Sequence, residues 1–510
     1  MLHQKWPRYA AAALAGWIAV AVSSVSAGAQ EIVRGGDLVV TSGIEPQTLD
    51  PIMGNAAGAD ARFQIFETLV KFDSEGNLQP SLATSWEYAE DGQSIVFNLR
   101  EGVVFHDGTP FDAEAAAFNL RRVIDPDVNA TRAPYVADVE SIDIIDPLTI
   151  RVNLKSPSGS AISGIASIAG VMSSPAAIEA KGEDYGRSPV GTGPFKFSSW
   201  ISGSHVKVEA NENYWRDGAD GQPLPYLDTL TVRFITEVAV KMIEIQSGSV
   251  HMVDGITPNH YEAIEQDANL HLIDLPGGTL QFVALNNQVA PFDNELVRRA
   301  FSHAIDRQAM MQAVTRGFGS ISTGFYYNAP DEVEYNTELA RSLLIEAGYP
   351  DGVSIDMSII QRDPDTLIGQ IIQQQIAAAG FTVQLEVLER QAWLDKVLGS
   401  GTHQAAMLMA GIPELDPNMQ FGTMFARDGF SNWSRIQDDN VFDLVEEAAR
   451  VTDQDQRREL YGDVEKLLVE KSYYAFLFLR DRKYAASNSM QGFKQDHAGG
   501  WYLDETWLSE

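Results

Sequence analysis

Residues 339–388 restrict the fold of this chain more than any other stretch. LARSLLIEAGYPDGVSIDMSII reads as a helix, a Gly-Tyr-Pro turn and a strand, and IGQIIQQQIAAAGFTVQLEVL repeats that order at once. Further on, VFDLVEEAARVTDQDQRRELYGDVEKLLVEKSYYAFLFLRDRKYAAS adds two helices and an apolar strand. Helices that alternate with strands in this way predict an α/β class. Residues 291–317 read as one further helix with Leu296, Ala300, Phe301, Ile305 and Met310 on its apolar side. The first half is richer in strands: Asp37–Ser42, SIVFNL, LTIRVNL (148–154), FKFSSW and SHVKVEANENYW all alternate. Between them ARFQIFETLVKFD looks helical, with Phe63, Phe66, Leu69 and Val70 on one side. A helix capped by Asp112 and a small-residue helix around 159–172 follow. The 510 residues allow two or three domains, with no repeat period of a solenoid and no low-complexity linker.

The first residues predict a compartment. MLHQKWPR carries Lys5 and Arg8, an apolar run covers 10–22, and SSVSAGAQ ends in Ala27-Gly28-Ala29, the three parts of a secretory signal. The run falls short of the ~20 residues needed to span a bilayer. Cleavage near Ala29 and a periplasmic location are expected. The chain has no cysteine, so neither a disulfide nor a thiol for lipid attachment exists. A formal net charge of −33 argues against nucleic acid and anionic lipid as partners.

Chemical motifs are mostly excluded. PVGTGPF (189–195) has the glycines of a phosphate cradle, but a nucleotide fingerprint needs a strand before them and a helix after them. Here FKFSSW and SHVKVEANENYW continue as sheet, and no Gly-Lys dipeptide exists for a Walker loop. The nine histidines are scattered without an HExxH pair, and no Gly-x-Ser-x-Gly elbow occurs. A lone histidine such as His106 beside the DGTP turn reads as a satisfied turn residue. No cofactor is expected, and enzymatic chemistry finds no support.

Taken in order, a set of landmarks is more specific: EPQTLDP (45–51), the long run from Phe66 to Val123 beginning FETLVKFDSEGNLQPSLATSW, PVGTGPF (189–195), NYWRDG (213–218), PFDNELVRRAFSHAIDR (291–307) and TDQDQRRELY (452–461). In these the chain resembles the extracytoplasmic solute-binding proteins of ABC importers, the family 5 group of dipeptide-, oligopeptide- and nickel-binding proteins. The resemblance runs from about Gly35 to the C-terminus. It implies a three-domain α/β periplasmic binding protein of type II with an extra domain. Domain I would comprise 30–75, 190–285 and 485–510, domain II the insertion 76–189, and domain III 286–484. Ligand would be enclosed between domains I and III by hinge closure, and the PVGTGPF turn would be a structural corner. The implied partners are a small solute and the ABC permease with its ATPase in the inner membrane, with the protein acting as a monomer and not as an enzyme.

The resemblance also implies a pocket. From domain I it would take Ser42, Gly43, Ile44 and Glu45, and Glu67 on the FETLV helix, where it is equally well an ordinary helix carboxylate. From domain III it would take residues after TVQLEVLERQAWLDKV and in MAGIPELDP: Arg390, Trp393, Ala410, Gly411, Ile412, Pro413 and Asp416. Peptide-binding members carry a tryptophan wall where this chain has Arg390, with Trp393 three positions on. Their amine-pairing aspartate, four residues before the proline of the Asp-Pro step, is Pro413 here; only Glu414 or Asp416 could replace it in a rebuilt loop. A buried ammonium needs a partner charge, and an arginine favours an anionic group. The expected ligand is therefore either a solute with an anionic or polyhydroxyl head, such as an opine, a sugar conjugate or a modified amino acid, or a short peptide with Arg390 left on the surface. A nickel or other metal chelate near His403, in a GSGTHQAA segment that reads as an exposed turn, a secreted hydrolase, and a periplasmic chaperone or receptor on the same fold are the alternatives.

Overall fold

A computed structural model describes residues 32–54, 59–326, 333–412 and 416–509. The expected leader (1–29) and Pro413 lie outside the described residues. One eleven-stranded sheet dominates, in the order 381–388, 353–360, 405–412, 270–285, 474–487, 252–253, 37–42, 229–234, 205–210, 195–201, with 319–321 paired onto 474–487. Two strands in its middle, Leu270–Leu285 and Tyr474–Ser487, are far longer than their neighbours and pair antiparallel along most of their length. On one side of this pair 353–360 runs parallel to both 381–388 and 405–412. On the other, 37–42 runs parallel to 229–234 and 252–253.

Period-2 alternation divides the side chains between two faces of each half. In Asp37–Ser42, Leu38 and Val40 enter a core with Leu230, Val232 and Val208, while Val39 packs on the opposite face with Ile245 and Val253. In the other half Val283, Met357 and Met407 face the helices 295–303 and 365–376, whereas Phe282, Leu408 and Phe476 face Phe421, Val445 and Val464. A separate four-stranded antiparallel sheet, 83–88, 94–99, 149–154 and 139–146 in that order, is covered by the helix Ala113–Ile124. As expected, Asp112 caps that helix, accepting from the Ala115 N–H at 3.0 Å.

Several elements depart from the sequence pattern for local reasons. The helix expected over 61–73 is only Ala59–Ile65. The Gly193 N–H donates to the Ile65 carbonyl at 2.9 Å, capturing the acceptor that residue 69 would need to continue the helix, and the chain extends into the strand Val70–Phe72. Residues 291–317 form two helices, Glu295–His303 and Arg307–Thr315. The buried Arg307 guanidinium takes the Ser302 and Ile305 carbonyls, and Asp306 caps the second helix at the Ala309 N–H. The small-residue helix is short, Ala161–Ala166, followed by one 3₁₀ turn. His403 is buried rather than on an exposed turn, with Nε2 on the Trp433 carbonyl at 2.9 Å.

The PVGTGPF turn is a close-packed corner. A Cβ on Gly191 would lie 2.2 Å from the Ile65 carbonyl oxygen, and one on Gly193 would lie 2.5 Å from that of Gln64. Its glycines serve backbone approach rather than a phosphate.

Candidate functional site

Strand direction points to a candidate site. The strands 37–42, 229–234 and 252–253 point their carboxyl ends at the middle of the long pair from one side, and 353–360, 381–388 and 405–412 point theirs at it from the other. Clefts outside the carboxyl ends of strands are where open α/β sheets take ligands. At this meeting point the pairing of the long strands breaks: Asp274 faces Lys483 and Gly278 faces Asp481, so Leu275, Pro276 and Gly277 bulge opposite Arg482. Gly277 has φ +62°, a conformation that suits glycine. A cavity of about 370 Å³ opens beside the bulge, lined by Asp254, Tyr261, Thr279, Pro364, Arg480 and Arg482 among others. That volume is within the range of small-ligand pockets. A larger hollow of about 690 Å³ lies on the outer face of helix Ala113–Ile124, away from any of these strand ends.

The charges around the cavity are mostly engaged with one another. Asp254 accepts from Thr41 Oγ1 at 2.8 Å, from the Gly43 N–H at 2.9 Å and from Lys241 Nζ. Lys483 pairs with Asp274. Arg362 Nε donates to Asp365 at 2.7 Å, and burial raises the Asp365 pKa against that pairing. Burial also raises the pKa of Asp481 and lowers that of Arg480.

The sequence-predicted residues divide. Ser42 is buried, its Oγ–H donating to the Ile44 carbonyl at 3.0 Å, and Ile44 stands 61 % exposed. Glu45 is not free for a ligand: its carboxylate accepts from Trp200 Nε1 at 2.9 Å, Ser202 Oγ at 2.8 Å and the Gly203 N–H at 2.8 Å. Desolvation pushes its pKa up, and those hydrogen bonds outweigh it and hold the carboxyl below its usual value. Glu67, outside any helix, is caged by Thr192 Oγ1 at 2.9 Å, Tyr214 OH at 2.8 Å and Trp215 Nε1 at 3.0 Å, and burial raises its pKa. It ties the PVGTGPF corner to NYWRDG.

Arg390 is exposed and begins the short helix Arg390–Leu394. Trp393 does not stand as an open aromatic wall. It is 3 % exposed in the core with Phe282 and Leu408, its Nε1–H on the Ser358 carbonyl at 3.3 Å. Ala410 is half-buried and Gly411 exposed at the strand end, and Ile412 pairs through its backbone with Gly278. Asp416 cannot replace the missing aspartate: it is buried, bound at 2.7 and 2.8 Å by both terminal nitrogens of Arg457, and accepts from Ser163 Oγ at 2.8 Å. Sequence reasoning missed Arg362, Arg480, Arg482 and Asp254. The one signal for two of them was the charged LRDRK interruption of an otherwise apolar strand.

Residues 77–432 match the model of the bacterial extracellular solute-binding proteins, family 5. The chain belongs to this family. The glutathione-binding protein GsiB of Escherichia coli K12 is 29 % identical over 491 residues, covering 93 % of each chain. HbpA2 from Haemophilus parasuis superposes with a TM-score of 0.86 at 24 % identity, over 93 % of this chain and 100 % of that one. DppA from Helicobacter pylori, an ABC transporter-associated periplasmic binding protein solved with the peptide STSA, gives 0.72 at 26 % identity, over 94 % and 99 %. As a member of this family the protein is a solute-binding protein and not an enzyme, with the mixed α/β, multi-domain fold of periplasmic binding proteins. Among its described residues no group of three His, Asp or Glu side chains is placed to hold a metal ion. No helix there is long and apolar enough to cross a membrane.

Proposed function

We propose that this protein captures a small peptide of the glutathione type in the periplasm and delivers it to the permease of an ABC importer. The carrying observation is the cavity at the register break of the two long strands, where strand ends of both halves converge. Those two strands are the hinge: residues 275–278 and 480–482 join a lobe of 30–75, 190–285 and 485–510 to a lobe of 286–484, with 76–189 as an insertion. A solute entering the cavity contacts both lobes and favours the closed state by the difference in affinity. The glutathione-binding relative supports a peptide-like solute with more than one carboxylate, and the peptide-bound one supports capture of a short peptide. The leader expected at 1–29 supports export.

Isothermal titration of the purified protein with reduced glutathione, oxidised glutathione and a set of di- and tripeptides tests this. One-to-one saturation by a member of the set, without turnover, is the expected result. No heat from any of them would overturn the peptide reading.

A further inference from the structure

One cation at the hinge, Arg480, has no ion-pair or hydrogen-bond partner for its side chain among the described residues. Arg480 lies where the strand Tyr474–Ser487 leaves one half of the sheet for the other, paired with Thr279 on one side and Gly319 on the other. Opposed residues of an antiparallel pair share a face, so Arg480 and Thr279 present their side chains together to the cavity beside the bulge. The Arg480 Nε is buried without a hydrogen-bond partner, and the guanidinium forms no ion pair among the described residues. Most of the surrounding carboxylates are engaged. Asp254 holds Lys241, Thr41 and Gly43; Asp274 holds Lys483, which also lies 3.9 Å from Asp481; Asp365 accepts from Arg362 through one oxygen, keeps its other, buried oxygen without a hydrogen-bond partner, and lies within electrostatic reach of Arg480. The cations Lys241, Arg362, Arg480, Arg482 and Lys483 outnumber the carboxylates Asp254, Asp274, Asp365 and Asp481, which leaves positive charge in excess. A buried guanidinium N–H with no acceptor is costly unless something supplies one.

We propose that Arg480 is the receptor for a carboxylate of the captured solute. Its planar fork matches a carboxylate bidentately, and its position at the crossing makes the contact from the hinge itself, so an engaged carboxylate joins the two lobes. The neighbouring Arg362 adds attraction, and the exposed Arg482 draws anions toward the opening. The ligand class is a small peptide or acyl amino acid with a free carboxylate at the end that lies deepest in the hinge.

This inference rests on the peptide-binding reading above, and the test separates the two. Wild type, Arg480→Ala and Arg480→Lys are titrated with glutathione, with glutathione amidated at the glycine carboxylate, at the γ-glutamyl α-carboxylate or at both, and with each peptide that binds and its C-terminal amide. The expected result is a loss of at least about 30-fold on Arg480→Ala, the scale of a desolvated charge pair. For one of the amidated forms the variant and wild type should bind alike. Arg480→Lys should fall between them, because charge is kept and the fork is lost. Equal affinity of wild type and Arg480→Ala, or an equal loss for acid and amide, overturns the inference and leaves the function standing. A lowered melting temperature with unchanged affinity overturns it too, and assigns Arg480 to Asp365 as a structural pair. Failure of wild type to bind any member overturns the function and the inference with it. If Arg480→Ala does not fold, the Arg480→Lys comparison between acid and amide decides.

Discussion

His106 accepts the Gly191 N–H at Nδ1 and faces the Gly193 carbonyl with Nε2 at 2.9 Å, a pattern that only the neutral Nε2–H tautomer satisfies. Burial, stronger than the support from Gly193, pushes its pKa down to about 4. His403, buried with Nε2 on Trp433, is likewise pushed down to about 4, chiefly by burial. Both folded values lie below the unfolded value of about 6.5. Their contribution to stability is therefore full above pH 6.5 and is lost as pH falls toward 4. Between pH 7 and 5 each histidine should cost the folded state about 2 kcal/mol. Urea unfolding across that range should show the loss, and the double variant His106→Gln, His403→Gln should flatten it. An unchanged slope in the variant would show that other groups carry the pH dependence.

At the scale of elements, the corner at 189–195 holds three segments together: its backbone meets 64–66, its Thr192 holds Glu67, and His106 braces it from the DGTP turn. Gly191→Ala would put a methyl 2.2 Å from the Ile65 carbonyl oxygen, a clash with backbone that no rotamer relieves. We expect a loss of about 2 kcal/mol or more in urea unfolding, with affinity per folded molecule unchanged, since the corner lies away from the cavity. Elements with their own capping and alternation were legible in the sequence. Asp37–Ser42, the Asp112 cap and the strands 353–360 and 381–388 follow local rules. What failed was decided by distant partners: Gly193 ends the helix before Glu67, Arg307 divides 295–315, and Trp433 draws His403 inside. The site fared likewise. Arg390 and Trp393 occupied promising spacings, but spacing cannot tell an exposed helix start from a core indole, whereas Arg480 becomes a site only where two strands cross.

For the whole molecule, the long sheet is continuous only through Leu270–Leu285 and Tyr474–Ser487, and the pairing of that bridge fails at Leu275–Gly277. Backbone hydrogen bonds resist bending where a ladder is regular, so a bulge with a positive-φ glycine concentrates bending at one place. On the proposed reading, the two halves would move about the same point that carries the cavity and Arg480, which would couple solute contact to lobe angle. The absence of cysteine makes this measurable, because an introduced pair takes fluorophores without competing thiols. Glu237, capping the helix Val238–Gln246, and Gln391, in the helix Arg390–Leu394, are exposed beyond strand ends on opposite sides of the crossing. In the double variant Glu237→Cys, Gln391→Cys, energy transfer should rise when a solute shown to bind by calorimetry reaches saturation. The label distance should shorten by more than about 2 Å, beyond the shifts of rigid complexes. Replacing Gly277 with alanine strains the bulge and should reduce the change in transfer more than it reduces folding stability. Transfer that stays constant at full occupancy would mean that solute is held without closure, and the crossing would then be a rigid floor rather than a hinge.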